Sequence, residues 1–243
     1  MYWYNSTADE IDQGNAGIAV LPIGSTEQHG PHLPIATDFL IASAFGEKVA
    51  QELDAFLLPA LPISTCMEHR GKKGSVWIRP ATFMNVITDI VICLKAQGFK
   101  KIVLVNGHGG NFALGPAVRE LNAMNTDIKV ILLDFEKFFS QLLEKKLLES
   151  ADNLHACEYE TSLMLYLHPE LVRKEKIEDC IPSVTREFLN YDSILNYSKN
   201  GVWGMPSLAS AKKGEDIFNF IVKCGVDYVS QTFDYFAASG RPL

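Results

Sequence analysis

Short apolar runs alternate along this chain with longer amphipathic stretches, and that alternation restricts the possible folds more than any other feature of the sequence. Ile18 to Ile23 and Lys101 to Val105 have strand length, and each ends in a glycine-containing turn. Helical patterns follow those turns, from about Phe39 to Leu53 and from about Phe112 to Met124. Between them, Ala55 to Ile63 can supply only a short strand, because Pro59 and Pro62 cannot donate to a ladder. A helix from about Phe83 to Lys95, ended by Gly98, leads into the second long strand. Ile128 to Leu133 reads as a further strand, and Phe135 to Leu148 as a charged, leucine-rich helix. Units of this kind predict an α/β fold whose mostly parallel sheet carries helices on both faces. The functional site is expected at the C-terminal edge of the strands. Nothing in the pattern divides the 243 residues, so one domain spanning 1–243 is expected.

Charge and composition remove several classes of function. A formal net charge of -7 opposes binding to nucleic acid, which needs a basic face to displace counterions. No stretch reaches membrane-spanning length, and the segment Met1 to Asn5 lacks the basic and apolar regions of a secretion signal. A cytoplasmic protein that binds neither nucleic acid nor membrane is therefore expected. The five cysteines are scattered, odd in number and without a C-x-x-C pair, which argues against a disulfide framework and against a zinc ribbon. Cys93 falls in an apolar helical pattern and reads as a core residue.

Potential metal ligands gather at the ends of these elements. In an extended segment alternate residues point the same way, so Glu27 and His29 can address one point in space. Asp38 follows where a helical pattern begins. E-x-H is a short and common pattern, and a polar turn with Asp38 as a simple N-cap reads equally well from this stretch alone. The turn Asn106-Gly107-His108-Gly109-Gly110-Asn111 could cradle a phosphate at a helix N-terminus, but it has neither G-x-G-x-x-G nor the P-loop lysine. Its other reading places His108 as a ligand at the same sheet edge as Glu27 and His29. Farther on, His155 and Glu158 would share a helix face, and Glu160 joins them only if His155 lies in the turn before the helix. As ordinary helix-start residues the two carboxylates would be favoured by the helix dipole. His32, His69 and His168 are weaker candidates, with His168 reading as a helix-end residue. The loop from 64 to 82, which contains Glu68 and His69, is long enough to carry function or to be a solvated connection.

Three of these segments, Pro22 through Asp38, Asn106 through Asn111 and His155 through Ser162, together resemble the signature blocks of the creatininase (creatinine amidohydrolase) family in order and separation. Glu68-His69 with Gly74-Ser75-Val76, and the stretch from Gly201 to Gly214, are similar to two weaker family blocks. The resemblance implies a three-layer Rossmann-like α/β fold, usually assembled as a homo-oligomer, a hexamer. It also implies a binuclear metal hydrolase, with two divalent ions (zinc, manganese or iron) at Glu27, His29, Asp38 and His108, Asp38 bridging. Creatinine-hydrolysing members carry a glutamate where this chain has Gly110. The fifth ligand is then Glu160 of the family's E-T-S triplet, with Glu158 as the alternative. His155 matches a catalytic histidine.

The reaction implied is hydrolysis of a C–N bond in a small cyclic or linear amide, such as creatinine or a formamide, by a metal-bound hydroxide. Ala151 stands where the creatinine enzymes have a tryptophan ahead of the histidine, and Cys157 stands where glycine is usual. These differences separate the chemistry from creatinine itself. A function of another class is a non-catalytic nucleotide-binding or regulatory protein using the glycine-rich turn.

Overall fold

A computed structural model describes residues 2–14 and 16–239 of the chain. Met1, which begins the N-terminal segment read above, lies outside the described residues, as do Asn15 and residues 240–243. In chain order the elements are β1 (Tyr2–Trp3), α1 (Ala8–Gln13), β2 (Ile18–Ile23), α2 (Thr37–Glu52), β3 (Phe56–Leu57), α3 (Pro80–Ala96) and β4 (Lys101–Asn106). They continue with α4 (Leu114–Met124), β5 (Lys129–Asp134), α5 (Phe139–Glu144), β6 (Asn153–His155), α6 (Glu158–Leu167), β7 (Trp203–Gly204) and α7 (Ala211–Ala238). Thr7 and Glu10 form the capping box of α1, with Thr7 N donating to Glu10 Oε2 at 2.7 Å.

Five strands pair in parallel in the order β1-β3-β2-β4-β5. Ile23, Asn106 and Asp134 end three neighbouring strands in register, so the turns that follow them leave one edge together. Successive side chains alternate across the sheet and build two cores. Val20, Val103, Val105 and Leu133 face α2, α6 and α7, and pack with Phe45, Leu163 and Ile221. Leu21, Ile23, Ile102 and Leu104 face α3 and α4, and pack with Phe83, Ile87 and Leu114. These are the three layers expected. β6 and β7 form a separate antiparallel pair, His155 opposite Trp203. Among the described residues no helix is long and apolar enough to cross a membrane.

Several boundaries differ from the sequence reading for local reasons. The pattern from Phe135 to Leu148 yields a 3-10 turn at Phe135–Phe138 before a short α5, because Asp134 caps that turn through Glu136 N at 3.1 Å. Lys146, at φ 56°, then lies in the left-handed region beyond the helix end. α3 starts at Pro80, where a missing N–H costs nothing. Cys93 is exposed rather than core, since the inward stripe of α3 is Phe83, Ile87, Val91 and Leu94. α2 begins at Thr37, so Asp38 lies inside the first turn and does not cap the helix.

Candidate metal centre

The site begins with a close approach. A Cβ at Gly24, just past β2, would lie 2.5 Å from the backbone nitrogen of Phe39. Glycine therefore lets the first turn of α2 press against the strand end and brings Asp38 beside Glu27. Ser25 Oγ sits between them, 2.7 Å from Glu27 Oε2 and 3.0 Å from Asp38 Oδ2. From β4, Asn106 pins the glycine-rich turn by donating to His108 O at 3.0 Å and accepting from His108 N at 3.3 Å. That fold of the turn sends the His108 ring back toward β2.

Asp38 is the centre of the resulting cluster. Its Oδ1 lies 3.0 Å from His29 Nε2, and its Oδ2 lies 2.8 Å from His108 Nδ1. Glu27 Oε2 is 3.2 Å from His108 Nε2, and Glu160 Oε1 is 3.7 Å from His29 Nε2. Glu27, Asp38 and His108 thus form one group with mutually close ligand atoms, and His29, Asp38 and Glu160 form a second. Glu27, His29 and His155 form a third such group.

One nitrogen of each ring is tied to the backbone. His29 Nδ1 faces Glu27 O at 3.2 Å, His108 Nε2 faces Thr65 O at 2.8 Å, and His155 Nε2 faces Gln28 O at 2.6 Å. Outward donation to a carbonyl is what orients histidine toward a metal and leaves the inner nitrogen free.

Electrostatics point the same way. Burial raises the Glu27 carboxyl to about 8, against the pull of His108. Burial by itself would lower His108, but the charge of Glu27 and the hydrogen bond to Asp38 carry it up to about 10. His29 is likewise raised, Asp38 outweighing burial. In Asp38 burial is overcome by His29 and His108, which hold the carboxyl well below its ordinary range. His69 and His155 are held neutral, first by burial and then by neighbouring histidines. Glu27 Oε1 is buried without a hydrogen-bond partner, although His69 Nε2 and His155 Nδ1 approach to 3.2 and 3.5 Å. Oxygen and imidazole donors packed this closely, with an orphaned carboxylate oxygen, fit a pair of divalent cations such as zinc or manganese.

All the sequence-predicted site residues, Glu27, His29, Asp38, His108, His155 and Glu160, come together at this edge. Glu158 does not. Two residues apart on a helix, Glu158 and Glu160 point to nearly opposite sides. Glu158 pairs with Lys213 at 2.6 Å and accepts from the backbone nitrogens of Glu149 and Ser150. Cys157 Sγ lies 3.8 Å from Glu160 Oε2, and burial pushes its thiol well up.

A cavity of about 360 Å³ opens over the cluster, with His69, His155, Glu160, Phe112 and Arg186 in its wall. Sequence reasoning undervalued His69 and passed over Gln28, because a glutamine between two ligands looks like a spacer. Glu68 projects into the space a side chain at Gly110 would occupy. A carboxylate at that turn opposes a phosphate, which removes the physical basis for a nucleotide loop there.

Comparison with known proteins identifies relatives of the whole chain. The family model described as Creatininase: Creatinine amidohydrolase matches residues 4–229. The creatinine amidohydrolase of Pseudomonas putida is 29% identical over 237 residues, covering 89% of this chain and 90% of that protein. A mycofactocin precursor peptide peptidase from Mycobacterium ulcerans is 31% identical over 217 residues, covering 82% of this chain and 79% of its own length. A solved manganese form of creatininase superposes with a TM-score of 0.81 at 26% identity, covering 95% of this chain and 98% of the other.

Proposed function

This chain belongs to the creatininase family of metal-dependent amidohydrolases, and from that premise we propose that its buried cluster holds two divalent ions and hydrolyses a C–N bond in a small amide. Glu27, Asp38 and His108 would hold one ion and His29, Asp38 and Glu160 the other. The observation that carries this reading is the placement of the two Asp38 oxygens, each against a different histidine. Zinc, manganese or iron(II) bound there supplies an activated water and Lewis acidity toward the substrate carbonyl.

The chain's own groups do the rest. His155, with Nε2 committed to Gln28 O, offers Nδ1 at the cavity wall; it takes a proton from the attacking water and returns it to the departing nitrogen, so the amine leaves neutral. The buried walls keep Glu27, His29 and Asp38 from bulk water. Neither a serine nor a cysteine nucleophile is needed, in keeping with the raised Cys157 thiol.

The substrate class is a cyclic or linear amide, including formamides and short peptide-like amides. Creatinine is one member of that class, but this chain departs from the creatinine enzymes at Gly110 and Ala151 and has Cys157 where glycine is usual. The same reading makes the protein a cytoplasmic homo-oligomer built from one domain. Metal-stripped protein should be reloaded with zinc, manganese or iron(II) and assayed against creatinine, formamides and linear amides. Metal-dependent hydrolysis of at least one, abolished by Glu27→Gln, is the expected result. No hydrolysis with any metal across the panel overturns it.

A further inference from the structure

Four histidines surround Glu27, and one differs from the rest in the polarity it presents. His29, His108 and His155 each direct one ring nitrogen at a backbone carbonyl, which leaves the other to serve as a lone pair once any proton on it is lost. His69 has the opposite arrangement. Its outer nitrogen, Nδ1, lies 2.9 Å from the side-chain nitrogen of Gln28, which is a donor. The Gln28 amide cannot be turned round, because its Oε1 accepts from Gly30 N at 3.1 Å. The Gln28 side-chain nitrogen also lies 3.1 Å from His155 Nε2, but that ring nitrogen donates to Gln28 O at 2.6 Å and has no lone pair to offer, so the two amide hydrogens go to His69 Nδ1 and to Gly201 O at 3.1 Å. His69 Nδ1 must therefore accept, and in the neutral ring the hydrogen resides on Nε2.

That N–H belongs to a ring in the cavity wall, and no hydrogen bond to it is found among the described residues. It lies 3.2 Å from Glu27 Oε1 without the alignment of a hydrogen bond, since Glu27 Oε1 has no partner. His69 lines the cavity and its ring centroid is 4.2 Å from that of His155. The loop holding it is anchored, with His69 N donating to Cys66 O at 3.0 Å and Ser193 Oγ donating to Arg70 O at 2.7 Å.

Resting on the hydrolase reading above, we propose that His69 is a further catalytic residue, donating its Nε2–H to the substrate carbonyl oxygen as negative charge develops there, and that Gln28 is the positioning residue that fixes its tautomer. His155 then presents the acceptor and His69 the donor on the same wall. A fixed donor aimed at a developing oxyanion contributes about 10² to 10³ in kcat in comparable sites.

The test combines a spectrum with kinetics. In protein labelled with 15N-histidine and loaded with zinc, His69 should show a protonated Nε2 and an unprotonated Nδ1. His69→Leu should keep both metals and lose about 10²-fold in kcat, and His69→Gln, which returns an N–H near the Nε2 position, should recover part of that loss. Gln28→Glu should invert the His69 tautomer and lower kcat without changing metal content. A His69 protonated on Nδ1 overturns the inference on the unmodified protein, whatever the variants do. So does a His69→Leu enzyme within threefold of the parent, or one that has lost a metal. Failure of the parent to hydrolyse any amide strikes the hydrolase reading and leaves the tautomer result to be read separately.

Discussion

Glu158 Oε1 lies 2.6 Å from Lys213 Nζ, a pairing between α6 and α7 that holds Glu158 away from the cluster of Glu27, His29, Asp38 and His108. Lys213→Met leaves a fully buried carboxylate with only backbone partners. Breaking a buried pair by removing one member typically costs about 3–5 kcal/mol, and the backbone donors of Glu149 and Ser150 put this case near the lower end. Urea unfolding of Lys213→Met against the parent measures it. A change within experimental error would mean that the pair does not fix α6.

Metal content should separate the shared ligand from the unshared ones. Asp38→Asn removes the group common to both trios and is expected to lose both ions, whereas Glu160→Gln should retain roughly one ion per chain. Elemental analysis of the dialysed proteins reads both. Glu158→Gln, two residues from Glu160 but facing Lys213, should keep the parent's metal content.

Metal loading should release protons at neutral pH. Glu27 and His108, raised to about 8 and about 10, titrate as a pair that holds at least one proton at pH 7 in the metal-free protein, and coordination requires its loss. Both groups have folded values above their unfolded ones. Their contribution to stability is therefore complete below the unfolded values and is lost as pH rises through the folded ones. Between pH 7 and about 9 the metal-free protein should lose thermal stability through these groups, and the metal-loaded protein much less, so the gap between them widens. Calorimetric metal titration in buffers of different ionisation enthalpy counts the protons, and thermal melts across that range test the gap.

The exchange of side chains at the glycine-rich turn should show coupling. Glu68 fills the room beside Gly110, so Gly110→Glu forces two carboxylates into one space and should destabilise by about 1–3 kcal/mol, the usual range for overpacking. Glu68→Ala in the same chain should relieve the part of that loss due to Glu68 and leave the part due to the His108 ring, which also lies against a Cβ there, giving a coupling energy above the additivity error of about 0.5 kcal/mol. Simple additivity of the two changes would mean that Glu68 moves aside freely.

Much of this architecture is legible in the residues. β2 and β4 declare themselves because continuous apolar runs, Ile18 to Ile23 and Ile102 to Val105, suit strands buried on both faces. Glu27, His29 and His108 follow directly from those strand ends, which makes their convergence on one edge readable once parallel pairing is inferred. What escapes the sequence is set by side-chain contacts between distant segments. Helix phase taken from His155 favours Glu158, and only the Lys213 partner and the placement of His155 in β6 turn the choice to Glu160. Gln28 and His69 lie 41 positions apart, and nothing local in either segment signals the hydrogen bond that joins them. Cys93 illustrates the reverse error, an apolar residue one position off its helix's inward stripe.

The adjacency of β2 and β4 also sets an order in time. Glu27 and His108 belong to neighbouring strands, yet β3 and α3 intervene in the chain, so their contact is non-local and must await closure of a long loop. Glu160 and His155 arrive from still later elements. A chain with the sheet half assembled has isolated histidines and carboxylates but no concentrated donor set. At the proposed site, tight capture of metal would thereby be reserved for molecules that have finished folding, and the ion would act as a latch on completed chains rather than as a template for incomplete ones.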